Sequence, residues 1–288
     1  MYIYLEGDIL HMDKDIQIII GLMGSKGSGK DTLADEHIAK YDASGKIILS
    51  QYLKDLCARV FKLPSDLFFT AKKDDDFARP IALEKKHIRE IIRDVREVLP
   101  ESVVPYDKFD PDRIGIQRYF DQKFKSPREM LQYIGTDMIQ SFCKEFHAHI
   151  TFNKYTNKKG IWFITDLRFK HEYDLAHDKF PLFYPILITK KDKAVDNHIS
   201  EQEYKSLKPF LTISNDSTIE SFIDKSLKAF EKIKEDSLKR YDDVKDRFDF
   251  TEKPEVVDMF DNDDGVVKNG NFIFSTPERT FTDFDKFD

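Results

Sequence analysis

The sequence predicts an α/β fold, a five-stranded parallel sheet with helices on both faces plus a mostly helical insertion. Three observations predict it. Short β-branched runs are apolar throughout instead of alternating, as parallel strands covered on both faces require. These runs alternate with amphipathic helical patterns from about residue 16 to 234. The first of them leads into a glycine-rich turn that ends in lysine and opens a helix, the arrangement that cradles phosphate.

Residues 1–15 read as an extension with a short strand at Tyr2–Leu5, and Ile18–Leu22 is the first core strand. The turn after it, GSKGSGKDT, meets the spacing G-x-x-x-x-G-K from Gly24 to Lys30. Gly24, Gly27 and Gly29 free the backbone to aim N–H groups at phosphate oxygens, with Lys26, Ser28 and Asp31 filling out the loop. Lys30 adds a mobile charge, and the following helix offers its positive end to the same anion. The hydroxyl that usually follows the lysine arrives one place late, at Thr32, behind Asp31.

Ala34, Ile38 and Tyr41 mark the buried stripe of the helix, which Ser44-Gly45 ends. Lys46–Leu49 is a second strand, and Leu53, Leu56, Cys57 and Val60 mark a second helix that closes before Pro64. Residues 65–125 interrupt the rhythm as an insertion or lid. Within it Ile88, Ile91, Ile92, Val95 and Val98 form an apolar helix face. Lys85, Arg89, Arg93 and Arg96 lie beside Glu90, Asp94 and Glu97, which reads as a solvated, salt-bridged surface. Residues 100–125 read as irregular.

Ser126-Pro127-Arg128-Glu129 is a capping box that starts a helix with Leu131, Ile134, Met138 and Phe142 inward. Gly135 inside that helix costs about 1 kcal/mol relative to alanine, so a neighbouring helix or a ligand approaches its backbone. Arg128, Gln132, Thr136 and Asp137 offer polar groups around the same surface. Ile161–Thr165 is the third strand, and Asp166 at its end resembles a carboxylate that orients Mg²⁺ or its waters. Arg168 stands two residues on, either toward phosphate or in a salt bridge to Asp166 or Glu172. Tyr184–Thr189 and Leu211–Ile213 are the fourth and fifth strands. Ser217-Thr218-Ile219-Glu220 caps a closing helix with Ile219, Phe222, Ile223 and Phe230 on its apolar face. Residues 235–288, with eight Lys/Arg against sixteen Asp/Glu, read as an acidic C-terminal tail without helical period.

That tail accounts for the net charge of −7, leaving residues 1–234 one unit positive, a balance that gives no reason to expect nucleic-acid binding. Two cysteines, Cys57 and Cys143, indicate neither a disulfide framework nor a metal site, so a reducing cytoplasm is expected. Glu6 and Asp8 interrupt the N-terminal apolar stretch, and no apolar run reaches membrane-spanning length, so neither a secretory signal nor a membrane partner is expected.

Four stretches in order, GSKGSGKDT, SPREMLQYIGTDMI, ITDLRFKHE and DNHIS followed by TISNDSTIESF, resemble the deoxynucleoside monophosphate kinases of bacteriophages over roughly residues 17–232. The resemblance implies a P-loop kinase fold with sheet order 2-3-1-4-5, a mobile lid, and transfer of the ATP γ-phosphoryl to a deoxynucleoside monophosphate. It implies that the loop and Lys30 hold ATP, that Thr32 and Asp166 organise Mg²⁺, and that Arg128 and Arg168 reach the acceptor phosphate or bridge it to the donor. Gln132, Gly135, Thr136 and Asp137 are similar to family residues near the acceptor nucleoside, with Lys54 as a further candidate. Asn215 and Asp216 fall where nucleotide kinases meet the adenine ring. His198 is as readily an ordinary surface histidine. Host cytoplasm is the implied location, and a homodimer stays open. The late threonine is also the pattern of nucleoside monophosphate kinases such as adenylate kinase. The competing readings are another small-molecule kinase with the same loop, such as a dephospho-coenzyme A kinase, and a non-catalytic nucleotide-binding regulator. A nucleotide-hydrolysing switch would be expected to carry Asn-Lys-x-Asp, which the sequence lacks.

Overall fold

The computed structural model describes residues 16–41, 45–99, 119, 121–156, 158–191 and 203–245. The expected strand at Tyr2–Leu5, the side chain of Tyr41, Ser44, residues 100–118, His198 with the rest of DNHIS, and the chain after residue 245 lie outside the described residues.

Five strands build the main sheet: β1 (Gln17–Met23), β2 (Gly45–Ile47), β3 (Gly160–Ile164), β4 (Phe183–Thr189) and β5 (Leu211–Ser214). All neighbours run parallel, in the order 2-3-1-4-5. Every residue of β1 is buried because both faces are covered. Ile18, Ile20 and Leu22 pack with Leu33 and Ala34 of helix α1 (Lys30–Tyr41) on one side. Ile19 and Met23 face the other side. The helices covering that side are α5 (Phe146–Asn153) and α6 (Lys170–Lys179), through Phe152 and Ala176, with Phe180 just past the end of α6. This two-sided burial is why the strand reads as an unbroken apolar run.

A second apolar core lies outside the sheet. Helix α2 (Gln51–Val60) contributes Leu53 and Leu56, and α3 (Lys85–Val98) contributes Ile88, Ile91 and Ile92. Opposite them lies α4, which runs through Pro127–Gln132, a π-helical Tyr133–Ile139 and a last turn Gln140–Phe142. The insertion is less purely helical than its composition suggests. Besides a short helix Asp66–Phe69 and a 3₁₀ turn Ala71–Asp74, Ile81–Ala82 pairs antiparallel with Lys123–Phe124. On α3 the acidic stripe is not wholly solvated: Asp94 is buried and pairs with Arg59 of α2.

The closing helix α7 (Ile219–Val244) runs ten residues beyond the expected boundary at 234. Ser237 and Val244 are buried, Ser237 Oγ donates to the Tyr184 hydroxyl at 3.0 Å, and Tyr184 donates to Asp236 at 2.9 Å. Arg240 reaches the carbonyl of Pro181 at 2.9 Å. Only a narrow, partly polar stripe faces the sheet, so the segment's charge hides its period. The start is also shifted: Thr218 is the cap, its hydroxyl accepting from Ser221 N at 3.3 Å, and Ile219 is exposed.

Candidate active site

Because all five strands are parallel, the segments leaving their C-terminal ends share one edge, and β1 is central, where the strand order reverses. From β1 comes the glycine-rich loop, from β3 Asp166 and Arg168, from β5 Asn215 and Asp216. Helix α2, with Lys54, leads away from β2. Gly21 pairs with Ile164, so Asp166 follows level with the end of β1.

The loop takes the conformation that its glycines allow. Gly24, Gly27 and Gly29 have φ of +144°, +68° and +108°. A Cβ on Gly24 would stand 2.4 Å from the Ile188 carbonyl oxygen, so the first loop position tolerates no side chain. Lys30 is buried and donates from Nζ to the carbonyls of Gly24 at 2.6 Å and Ser25 at 2.9 Å, folding over its own loop. Leu33 N donates to Gly29 O at 2.9 Å, which makes the loop's end the first turn of α1 and places Thr32 in that turn. Asn215 donates from its amide to Ser28 O at 2.7 Å and props the loop from beneath. Asp31 is exposed and lies 3.6 Å from Lys46. Asp216 accepts from Lys191 N at 2.6 Å and Ser214 Oγ at 2.9 Å, which ties the ends of β4 and β5 together and holds its carboxyl below the usual range.

Asp166 accepts three hydrogen bonds across the sheet edge, from Leu49 N at 2.9 Å, Ser50 N at 3.0 Å and Ser50 Oγ at 2.8 Å. The turn that opens α2 thus fixes this carboxylate. The turn that carries Arg168 is fixed in its own way: buried Glu172 accepts from the backbone N–H of Arg168 at 2.9 Å and of Phe169 at 3.0 Å. Burial pushes the Glu172 carboxyl up to about 8 in spite of those two donors. His147 is buried in the same neighbourhood, beside Gly135 and within electrostatic reach of Asp166, and burial holds its imidazole down at about 4.

On α4, Ser126 caps the helix by accepting from Glu129 N at 3.3 Å, and Glu129 reaches back to Lys125 N at 2.6 Å. A Cβ on Gly135 would lie 2.5 Å from Leu53 Cδ2, so α2 packs closely against the backbone of α4 there. Gln132 and Thr136 are partly exposed and Asp137 is exposed. Arg128, at the start of the helix, donates from Nε to Asp74, and the same carboxylate oxygen accepts from Lys26 of the loop at 2.8 Å. Asp74 therefore joins α4 to the glycine-rich loop, and Arg128 and Lys26 hold its carboxyl down at about 2. Lys73 next to it is half-buried, and burial together with Lys54 and Arg128 lowers its pKa. Lys54 itself lies 5.2 Å from the Phe69 ring centre.

Comparison with known proteins bears on this arrangement. A profile for the family "Deoxynucleotide monophosphate kinase" matches residues 18–226. The chain belongs to the deoxynucleotide monophosphate kinase family. It is accordingly a kinase, a phosphotransferase of nucleotide metabolism. A relative from Acanthamoeba polyphaga mimivirus, named "Putative deoxynucleotide monophosphate kinase", is 26% identical over 220 residues, 71% of this chain and 92% of its own length.

The residues of this kinase suit a magnesium ion that arrives with its nucleotide. Among the described residues no group of three or more His, Cys, Asp or Glu could hold a metal alone. Asp166 has spent three of its roughly four acceptor positions on α2, which leaves it one, enough for a metal-bound water. Mg²⁺ bound through one carboxylate, a hydroxyl, waters and substrate phosphates has this donor set. No described helix is long and apolar enough to cross a membrane. Sequence reasoning missed Lys73, Asp74, His147 and the role of Glu172. Only Glu172 left a signal, as an acid in the first turn of a helix directly after Asp-x-Arg.

Proposed function

We propose that this kinase transfers the γ-phosphoryl group of ATP, bound with Mg²⁺, to a deoxynucleoside monophosphate, giving the diphosphate and ADP. The observation that carries the reading is the bridge at Asp74, where a cation of the phosphate loop and the arginine of the acceptor-side helix share one oxygen. Two phosphate-seeking elements meeting at one point is what transfer between two phosphates needs.

The acceptor phosphate has its second pKa near about 6 and is largely ionised at neutral pH, so no general base is required. The work left to the protein is alignment and charge neutralisation. In this reading the loop N–H groups and Lys30 hold the donor phosphates, and Thr32 and Asp166 would hold Mg²⁺, which would supply charge neutralisation. Arg168 and Arg128 bind the acceptor phosphate, and Gln132, Thr136 and Asp137 face the nucleoside with Lys54 beside them. Asn215 and Asp216 border the adenine. Glu172 and His147 are positioning residues behind Arg168 and Asp166.

The test is turnover by purified protein with ATP and Mg²⁺ on deoxy and ribo monophosphates in pairs. Rejecting the ribo form by leaving its 2′-hydroxyl unpaired costs about 1–3 kcal/mol, so kcat/KM for dGMP or dTMP should exceed that for GMP or UMP by at least about tenfold. Equal efficiencies would end the deoxy assignment, and no transfer to any monophosphate would end the kinase reading.

A further inference from the structure

The short segment 71–74 takes no part in the mechanism above, yet its last residue holds two cations of that mechanism. Asp74 Oδ1 accepts from Lys26 Nζ at 2.8 Å and from Arg128 Nε, an anionic oxygen between an ammonium and a guanidinium. A phosphate oxygen asks for the same two partners. Lys73, half-buried next to Asp74 in the chain, lies within electrostatic reach of Arg128 and Lys54 as well as of Asp74 and Asp31.

We infer that Asp74 is an internal competitor for the acceptor's phosphate: it engages Lys26 and Arg128, and a phosphate dianion displaces it and takes Lys73 as a further ligand. The inference rests on the proposed function for the identity of the acceptor. Displacement is cheap on the protein's side. The Asp74 side chain is 37% exposed, that of Lys26 52% and that of Arg128 22%, so the pair with Lys26 contributes little and the pair with Arg128 more. Its turn is closed at one end by a Thr70 cap, Oγ1 accepting from Lys72 N at 3.2 Å, and by Lys72 on Asp66 at 2.6 Å, and it lies against the first turns of α4. A dianion offers both cations stronger charge-assisted bonds than one carboxylate oxygen does. A fixed Asp74 would instead stand as a like charge beside the incoming phosphate.

The decisive variant is Asp74→Asn in the full-length protein, probed with inorganic phosphate alone by calorimetry and then with dTMP and ATP in turnover. Losing the competitor should tighten phosphate binding about three- to tenfold and lower the KM for dTMP in parallel, with kcat within about twofold. Weaker or unchanged phosphate binding, or a raised KM restored by Asp74→Glu, would overturn the inference and make Asp74 a residue that aligns the cations. Lys73→Gln should raise the KM for dTMP about tenfold and leave that for ATP within about twofold; an unchanged KM for dTMP removes Lys73 from the site. The phosphate titration needs no turnover, so it decides the inference even if the wild-type protein phosphorylates no deoxynucleotide.

Discussion

Replacing Lys30 by methionine keeps most of the aliphatic stem and removes the ammonium. In the structure that ammonium makes two hydrogen bonds, to Gly24 O at 2.6 Å and Ser25 O at 2.9 Å, from a residue that is 8% exposed. The bond to Gly24 O is buried and that to Ser25 O partly so, and an acceptor left without its donor costs about 1–3 kcal/mol each. A domain with about 5–15 kcal/mol of stability stays folded. On the reaction the effect is larger. Losing one preorganised donor to developing charge costs about 10²- to 10³-fold in kcat, or about 2.7–4 kcal/mol. Urea denaturation followed by circular dichroism, beside steady-state turnover with ATP and dTMP, separates the two effects. A folded Lys30→Met protein that turns over within threefold of wild type would refute the assignment of this loop to the donor phosphates.

In Gly135→Ala the new methyl meets Leu53 Cδ2 at 2.5 Å, an overpacking of about 1–3 kcal/mol offset by about 1 kcal/mol of helix propensity, and Leu53→Val should couple favourably with it in a double-mutant cycle. Urea melts in which the two changes are additive would mean that α2 and α4 are not in contact there. A chain ending at Lys245 should match the full protein in Tm and turnover. One ending at residue 234 loses the Ser237 and Asp236 bonds to Tyr184 and the buried Val244, and should lose about 2–5 kcal/mol in a thermal or urea melt. Glu172 has a folded-state pKa of about 8, raised from the ordinary carboxyl value, so the folded state favours its protonated form. Its contribution is therefore fully present in acid and is lost as pH rises through about 8. Glu172→Gln, whose amide oxygen can still accept from the 168–169 backbone, should flatten stability between pH 6 and 9. An unchanged pH profile would place this carboxyl in water.

The sheet was legible because burial on both faces writes itself into β1 and β4 as continuous apolar runs, and the parallel order follows from the helices between them. The helix starting at Ser126 was legible from its cap, since serine, proline and glutamate each serve one particular position there. Where polar side chains do the packing, the signal fails. Ser237 and Asp236 hold α7 against Tyr184, and a hydrophobic period cannot register them. The π turn over Tyr133–Ile139 was equally silent, because one extra residue per turn leaves no mark in spacing so short. In residues 65–99 the paired strand at Ile81–Ala82 spans two residues, fewer than any periodicity can show.

The candidate site divides along the same line, and the division has a mechanical meaning. Three groups at the sheet edge are tied through at least one backbone partner: Lys30 to two carbonyls, Asp166 to two N–H groups and a hydroxyl, the turn of Arg168 to a buried carboxyl that accepts two N–H bonds. The Lys30 and Glu172 bonds join residues close in sequence, so a motif can reveal them. Arg128 of α4 and Lys26 of the glycine-rich loop are held instead by one partly exposed carboxylate from a four-residue turn. Exposed pairs of that kind contribute about 0.2–1 kcal/mol, against the larger cost of leaving a buried donor or acceptor unpaired. In the proposed reading the sheet-edge groups are already tied before a nucleotide arrives, and Arg128 and Lys26 are held by contacts that a phosphate can outcompete. An enzyme that must neutralise two polyanions in line gains from that order, because the second anion meets a finished donor site and has only ion pairs to exchange.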